Sequence, residues 1–329
     1  MFPATEIREG DVLLNITGAS IGRSAVATAE LDGGNVNQHV CEIRVRRSLM
    51  NPHFVCAVLN SDIGQNQIDK FQAGGNRQGL NFKQVGSIAV MAPQIREQDA
   101  ISGVLCGADE LISSLRALIA KKRAIKQGMM QELLTGRTRL PDFAGNWEET
   151  TLGAVSRIKT GSRNNQDKVA NGEYPFFVRS ATVEKIDTYS YDTEAILVPG
   201  EGGIGSIFHY INGMFEVHQR VYTISDFSPN VAGKFVYYYM REFFGLHAME
   251  HSVKATVDSL RLPTFKSFEL RLPPTRAEQD AIAITLGDAD TEIEALERRL
   301  EATRAIKQGM MQELLTGRTR LPVNEEVAV

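Results

Sequence analysis

The chain has 329 residues, 43% hydrophobic and 23% charged, the composition of a globular protein with room for two domains. No apolar run approaches the roughly 20 residues of a membrane span, and the N-terminus lacks the pattern of a signal peptide. The net charge of −4 does not by itself indicate a nucleic-acid binder, and three cysteines without a Cys-x-x-Cys pair predict neither a zinc site nor a disulfide framework. A cytoplasmic protein is the simplest interpretation.

Residues 1–92 predict a small mixed α/β segment. Strands are expected at 11–14 and 41–45, and a helix from Pro52 to about Leu59. The sequence Asn-Pro-His-Phe at 51–54 is similar to the Asn-Pro-Pro-Phe/Tyr loop of adenine methyltransferases. Its second proline is absent and it begins a helix, so a methyl-transfer site is not predicted here.

A long amphipathic helix is predicted next, in the segment 93–141. Its apolar residues recur at spacings of four and three, which place one narrow stripe on the helix, as in a coiled-coil seam. After a shift in register, Ile125, Met129 and Leu133 are expected to continue the stripe. Pro93 precedes the helix, and Gly136 follows its last apolar turn.

Residues 142–273 predict a second mixed α/β segment, with strands at 195–198 and 220–224 and an aromatic-rich helix at 235–244. Gly200 to Gly205 satisfies the dinucleotide pattern G-x-G-x-x-G, but the β-branched and aromatic residues that follow predict a hairpin or tight loop instead. The histidines of this segment lack the third ligand of a metal site. No cofactor and no metal are predicted.

The strongest feature is an internal repeat. Residues 123–141 recur letter for letter at 304–322, displaced by 181 positions, so 274–322 predicts a second long helix, followed by a tail at 323–329. A stripe of this length needs a partner, and the other helix is the obvious one. We therefore predict two globular mixed α/β domains separated by two long helices packed as an antiparallel coiled coil with pseudo-two-fold symmetry. The alternative is that each helix covers only its own domain.

The repeat preserves residues that are typical of exposed positions, although packing alone would tolerate drift. Two identical faces indicate two copies of one partner, while a recent duplication would leave the same identity. The predicted partner-binding residues are Lys126, Gln127, Gln131 and Arg137, with their copies Lys307, Gln308, Gln312 and Arg318.

The first segment is expected to be shorter than the second. When Gln38 is aligned with Gln219 at the repeat displacement, Met1 corresponds to about position 182 or 183. The first segment then lacks a counterpart of roughly 142–181, including the polar loop at 159–168. A misplaced start within a longer reading frame, or a second chain that supplies the absent part, would explain the same gap.

Three features together resemble the DNA-specificity subunits of type I restriction–modification systems. They are the Pro-x-x-x-Glu-Gln-x-Ala-Ile entry to each long helix, the Gln-Glu-Leu-Leu-Thr-Gly-Arg helix end, and the Gly-Leu-Asn-Phe-Lys-x-Val segment at 79–85. The resemblance implies that each globular domain, as a target recognition domain, reads one half of a split sequence in double-stranded DNA. It implies that the identical faces bind two methyltransferase subunits, that motor-nuclease subunits join the assembly, and that the chain itself is not an enzyme.

Residue type and loop position then suggest the DNA contacts, because arginine reads guanine edges while asparagine and glutamine read adenine edges. The candidates in the second domain are Arg163, Asn164, Asn165, Lys168, Arg179, Lys254, Thr256 and Arg261. Those in the shortened first domain are Asn37, Gln38, Asn76, Arg77, Gln78 and Lys83.

Two other functions stay open at this point. The chain could itself be a modification enzyme, although cofactor motifs are missing. It could also be a truncated subunit that binds the methyltransferase without reading a full target.

Overall fold

A computed structural model describes residues 5–72, 79–203, 205–250 and 259–322. The chain folds into two compact units. Unit 1 comprises Met1–Ile119 and Leu296–Val329, and unit 2 comprises Ala120–Ala295. Each unit therefore contains one globular segment and a part of each long helix.

Unit 2 is built on a six-stranded sheet and a two-stranded sheet. The strands are β4 (Glu148–Thr151), β5 (Arg157–Thr160), β6 (Tyr174–Phe177), β7 (Val183–Ile186), β8 (Tyr191–Pro199), β9 (His209–Val217), β10 (Val221–Ser225) and β11 (Glu269–Leu272). The larger sheet has the order β5-β10-β8-β9-β6-β7, and the smaller one consists of β11 and β4. The β6–β9 pair is parallel, and the other pairs are antiparallel. The short helices are α5 (Leu152–Val155) and α7 (Leu262–Lys266), and the long one is α6 (Gly233–Glu250).

Residues 195–199 of strand β8 are buried on both faces, which explains the apolar sequence of this half of the strand. Ile196 and Val198 belong to the cluster that contains Phe235 and Phe244 of α6, whereas Leu197 belongs to a second cluster. The predicted strands at 195–198 and 220–224 and the predicted helix at 235–244 are confirmed. The Gly200–Gly205 segment leads from strand β8 toward β9 with no helix among its described residues, as expected for a connection between antiparallel strands.

Unit 1 contains a three-stranded antiparallel sheet of order β2-β1-β3. Its strands are β1 (Val12–Asn15), β2 (Ser24–Val26) and β3 (Val40–Ile43), and its short helices are α1 (Pro52–Asn60), α2 (Asp62–Gln72) and α3 (Phe82–Gly86). At the displacement of 181 residues, β1 and β3 correspond to parts of β8 and β10 in unit 2, and α1 to the start of α6.

The long helices are α4 (Ile95–Leu133) and α8 (Arg276–Leu314), and they pack antiparallel within each unit. In unit 1 the start of α4 lies beside the end of α8, where Glu97 binds Arg320 at 2.5 Å through two parallel hydrogen bonds. In unit 2 the relation is reversed, and Glu278 binds Arg139 at 2.5 and 2.6 Å. The two ion pairs are copies of each other at the repeat displacement, and the predicted antiparallel pairing is confirmed in both units.

Burial along the helices corrects part of the sequence prediction. Ile101, Leu105 and Ile112 are buried as expected, but Ile125 is 47% exposed and its copy Ile306 is 61% exposed. After the register shift, Lys126 takes the buried position instead, with 8% exposure. The prediction is therefore wrong for Ile125, whereas Leu133 is buried and Met129 packs against the core. Helix ends were read correctly, since Gly136 and Gly317 adopt φ values of 71° and 69°.

Candidate nucleic-acid interface

Unit 2 contains a groove of about 440 Å³ that is lined by two of the predicted DNA-contact residues. Asn165 and Arg179 line it, and Glu184, Glu201 and His218 complete its polar wall. Because these residues come from separate loops and strands, only the fold brings them together. A concave surface with several convergent polar groups is the usual form of a binding site.

Arg163 is positioned by a buried carboxylate. Its backbone N–H donates to the Val217 carbonyl at 3.3 Å, and its guanidinium lies 3.3 Å from Glu216, which is fully buried. Ser190 donates to the same carboxylate at 2.6 Å. The Arg163 side chain still keeps 41% of its surface exposed, so the carboxylate holds an arginine that remains available to a ligand.

A pair of amides forms the most distinctive contact of the groove rim. Gln219 Nε2 donates to Asn164 Oδ1 at 2.6 Å, and both residues are exposed. The contact leaves Gln219 with one amide oxygen and one N–H donor, the combination that pairs with an adenine edge. The sequence prediction missed Gln219. Its copy Gln38 was included, so the repeat displacement would have identified it.

Cations and carboxylates alternate along the groove. Arg179 lies 3.5 Å from Glu201, and Arg220 binds the same carboxylate, so two guanidinium groups share one negative charge. Lys168 pairs with Glu184 at 3.1 Å. The cations of these pairs are exposed while the carboxylates are half-buried, so a DNA phosphate can reach the cations from solvent.

His218 is kept neutral inside this cationic cluster. Burial lowers its pKa, and the nearby Arg179 and Arg220 guanidinium groups lower the pKa further. Its Nδ1 accepts a hydrogen bond from the backbone N–H of Arg220 at 3.0 Å. The neutral imidazole thereby fixes the turn that presents Gln219 and Arg220.

The remaining candidates of unit 2 lie next to this cluster or outside the described residues. Ser259 pairs with Glu201 as an isolated bridge, and Leu260 N–H donates to the Gly200 carbonyl at 2.8 Å. Exposed Arg261 therefore follows a segment that is anchored to the groove. Lys254 and Thr256 lie outside the described residues.

In unit 1 the loop before β3 corresponds to the loop that carries Gln219. Val-Asn-Gln-His-Val at 36–40 matches Val-His-Gln-Arg-Val at 217–221. Asn37 and Gln38 are exposed there, Asn37 Oδ1 accepts from the His39 N–H at 2.9 Å, and His39 contacts Thr17 at 2.5 Å. Lys83 is exposed on α3, away from this loop in sequence, and Asn76, Arg77 and Gln78 lie outside the described residues.

The predicted partner-binding residues form two surfaces. The α4 face, in unit 2, comprises Lys126, Gln127, Gln131 and Arg137, and the α8 face, in unit 1, comprises Lys307, Gln308, Gln312 and Arg318. All are exposed except Lys126, which is buried, and Lys307, which is half-buried. Lys126 binds Asp290 and lies 5.5 Å from the Tyr238 ring centre, so the expectation that it is exposed is wrong.

Lys307 repeats the buried contact of Lys126, because its ammonium group lies 2.6 Å from Asp109, the copy of Asp290. Both lysines therefore join α4 to α8 within their units. The three other residues of each face remain on its surface.

Within the described ranges, no three metal-ligating side chains come together, and no helix is apolar enough over a sufficient length to span a membrane. His209 and His247 instead contact the backbone carbonyls of Ser180 and Thr264 at 3.1 and 2.9 Å.

This chain is similar to specificity subunits of type I restriction–modification systems in sequence, and it shares its fold with a solved one. Residues 144–304 match the family profile of the type I restriction modification DNA specificity domain. The EcoDI specificity subunit of Escherichia coli is 28% identical over 171 residues, which are 52% of this chain and 37% of that protein. The MjaVIII specificity subunit of Methanocaldococcus jannaschii is 23% identical over 268 residues, 71% of this chain and 63% of its own length.

Among solved structures, the S subunit of the type I restriction–modification system from M. genitalium superimposes with a TM-score of 0.71. The alignment covers 94% of this chain and 84% of that one at 14% identity, so it shows a shared fold. The matched stretches span less than two thirds of the length of either the EcoDI or the MjaVIII subunit. Profile, relatives and fold agree with the repeat and the two-unit architecture, and residues 144–304 form a domain of the type I restriction modification DNA specificity family.

Proposed function

We propose that this chain is the non-catalytic subunit that gives a type I restriction–modification complex its DNA sequence specificity. The unit 2 groove reads one part of a split target, and the loop of unit 1 that carries Gln38 reads the other. The α4 and α8 faces each dock one methyltransferase subunit, and motor-nuclease subunits join the complex in the cytoplasm. Methyl transfer and ATP hydrolysis belong to these partners.

The observation that carries this proposal is the Asn164–Gln219 amide pair on the exposed rim of the groove. Amides that present an oxygen and an N–H side by side discriminate adenine from the other bases in the major groove. Arg163, Arg179, Lys168 and Arg220 surround the pair and supply cations for the flanking phosphates. Partner surfaces would add the positive charge that the chain as a whole lacks.

The test is to co-express the chain with the methyltransferase subunit of the same locus and to map methylated adenines by long-read sequencing. A split motif with two different halves is the expected result. Arg163→Ala should relax one half only, since the side chain belongs to unit 2. A methylation pattern that is the same with and without the chain would contradict the proposal.

A second candidate function is titration of the methyltransferase without full target reading. It is favoured by one observation: among the described residues, no amide binds the Gln38 side chain as Asn164 binds Gln219 in unit 2. Stable co-purification with the methyltransferase and no methylation would establish this second function.

A further inference from the structure

The α4 face and the α8 face have the same sequence but different neighbours. Gln127 on the α4 face and Gln308 on the α8 face are copies at the repeat displacement. The helix that faces Gln127 carries Glu242, whereas the corresponding position in unit 1 is Ser61. This replacement changes which hydrogen-bonding groups of each glutamine are available to a ligand.

In unit 2 the amide of Gln127 is already occupied. Its Nε2 donates to the two carboxylate oxygens of Glu242 at 2.9 and 3.1 Å. Helix α6 runs without interruption from Gly233 to Glu250, which holds Glu242 beside the end of α4. A ligand that accepts a hydrogen bond from Gln127 Nε2 must compete with this carboxylate, whereas Gln127 Oε1 has no such competitor.

In unit 1 the same place is open because the helix is interrupted. Helix α1 ends at Asn60 and α2 begins at Asp62, and the Ser61 hydroxyl turns back to the Val58 carbonyl at 2.7 Å. Gly64 permits this sharp corner, since a Cβ atom there would lie 2.4 Å from the Val58 carbonyl oxygen. The corner leaves a groove of about 370 Å³ against the end of α8.

The groove borders the α8 face directly. Gln308, Gln312 and Arg318 line it together with Met311 and Asp62. Among the described residues, the side-chain amides of Gln308 and Gln312 have no hydrogen-bond partner, unlike that of Gln127. The α8 face thus presents free amide donors and acceptors in a groove that Met311 also lines.

We propose that the two faces bind the same partner, the methyltransferase subunit, with unequal affinity. The α8 face binds the first subunit, and the α4 face binds the second more weakly because Glu242 occupies Gln127. The inference rests on the proposed function for the identity of the partner. The occupied hydrogen bond should weaken the second step by about five- to tenfold, the usual net value of one such contact.

The experiment titrates the full chain with the methyltransferase subunit of the same locus and follows the 1:1 and 2:1 complexes by native mass spectrometry. Glu242→Ser gives unit 2 the residue of unit 1 and should tighten the second step by about five- to tenfold without changing the first. Gln308→Ala should weaken the first step. Gln127→Ala, added to Glu242→Ser, should remove the gain.

Glu242 lies on the helix surface, and an unchanged melting temperature of Glu242→Ser serves as the folding control. The inference is overturned if Glu242→Ser leaves both steps unchanged, or if Gln308→Ala affects only the second step. If the folded chain forms no complex with the methyltransferase subunit in any variant, the proposed docking function fails as well. A wild-type 2:1 complex with two equal steps would overturn only the asymmetry.

Discussion

Units 1 and 2 share one set of contacts between the long helices and differ in what surrounds it. Arg139–Glu278 in unit 2 is repeated as Arg320–Glu97 in unit 1, and Lys126–Asp290 is repeated as Lys307–Asp109. Each pair joins a residue of one repeat to a residue of the other, so a change in one repeat must be matched in the other. Part of the sequence identity of the repeat therefore has a packing cause.

This comparison reduces the number of repeated residues whose identity can be explained by partner binding. Lys126 and Arg139 were conspicuous in the repeat, yet both are held by buried or half-buried carboxylates. Gln131 and Arg137 are exposed, and packing between the helices gives no reason for their identity to Gln312 and Arg318. The proposed partner binding would keep such positions the same, and a recent duplication would leave the same identity.

The globular parts differ more. Three strands of unit 2 have the order β9-β8-β10, and the three strands of unit 1 repeat it as β2-β1-β3. In unit 2, β5 and β6 flank this core and lead into the Arg163 and Arg179 loops. The described part of unit 1 has only the central three strands, so its Gln38 loop lacks that support.

The largest expected effect comes from removing one guanidinium from the repeated ion pair. Arg139→Ala leaves Glu278, with 1% of its side chain exposed, without its bidentate partner, and should cost about 3–5 kcal/mol of stability. Arg320→Ala should cost less, because the Arg320 side chain is already 66% exposed. Calorimetric unfolding of the full-length variants measures both. Equal losses of stability would mean that the greater exposure of Arg320 does not weaken its ion pair relative to that of Arg139.

A second pair of variants tests the similarity of the units. Gln279 accepts from Ala232 N–H at 2.9 Å and donates to the Asn230 and Pro273 carbonyls, while its copy Gln98 accepts from Asn51 N–H at 2.9 Å. Both amides are buried, so Gln279→Leu and Gln98→Leu each strand buried backbone groups.

In each of these leucine variants the free energy of unfolding, measured by urea denaturation, should fall by about 2 kcal/mol. The double variant should lose the sum, because the sites share no partner. If only Gln279→Leu loses stability, the two hydrogen-bond networks have the same geometry but do not contribute equally to stability.

The reading loops provide a third comparison, which depends on the proposed function. Gln219→Ala should reduce discrimination at one adenine of one half-site by roughly tenfold, the value of one paired base contact. Gln38→Ala should act on the other half-site, and less strongly, because its loop is not braced by a second amide. Methylation mapping of co-expressed complexes reports each half separately. An effect of either variant on both halves would contradict the assignment of one loop to each half.

How far the sequence predicted this molecule depends on the kind of interaction. The spacing of Ile101, Leu105 and Ile112 predicted helix and pairing, because burial follows periodicity. It failed at Ile125, because a lysine can be buried when a carboxylate such as Asp290 receives it, and that carboxylate lies 164 residues away in the chain. Of the residues that line the groove, only Asn165 and Arg179 were predicted. Glu216, which positions Arg163, looks in the sequence like an ordinary strand residue.

The smallest effect should come from Lys168, which is exposed and pairs with half-buried Glu184. As a phosphate contact it carries no sequence information, so Lys168→Ala should weaken DNA binding alike on target and non-target sequences. The slope of log affinity against log salt should fall in magnitude by about 1. Lys185→Ala is the matched control, because Lys185 follows Glu184 on β7 and points to the opposite face of that strand. If Lys168→Ala alters the methylated motif while the salt slope stays the same, Lys168 reads a base, and the division between positioning cations and reading amides in unit 2 must be redrawn.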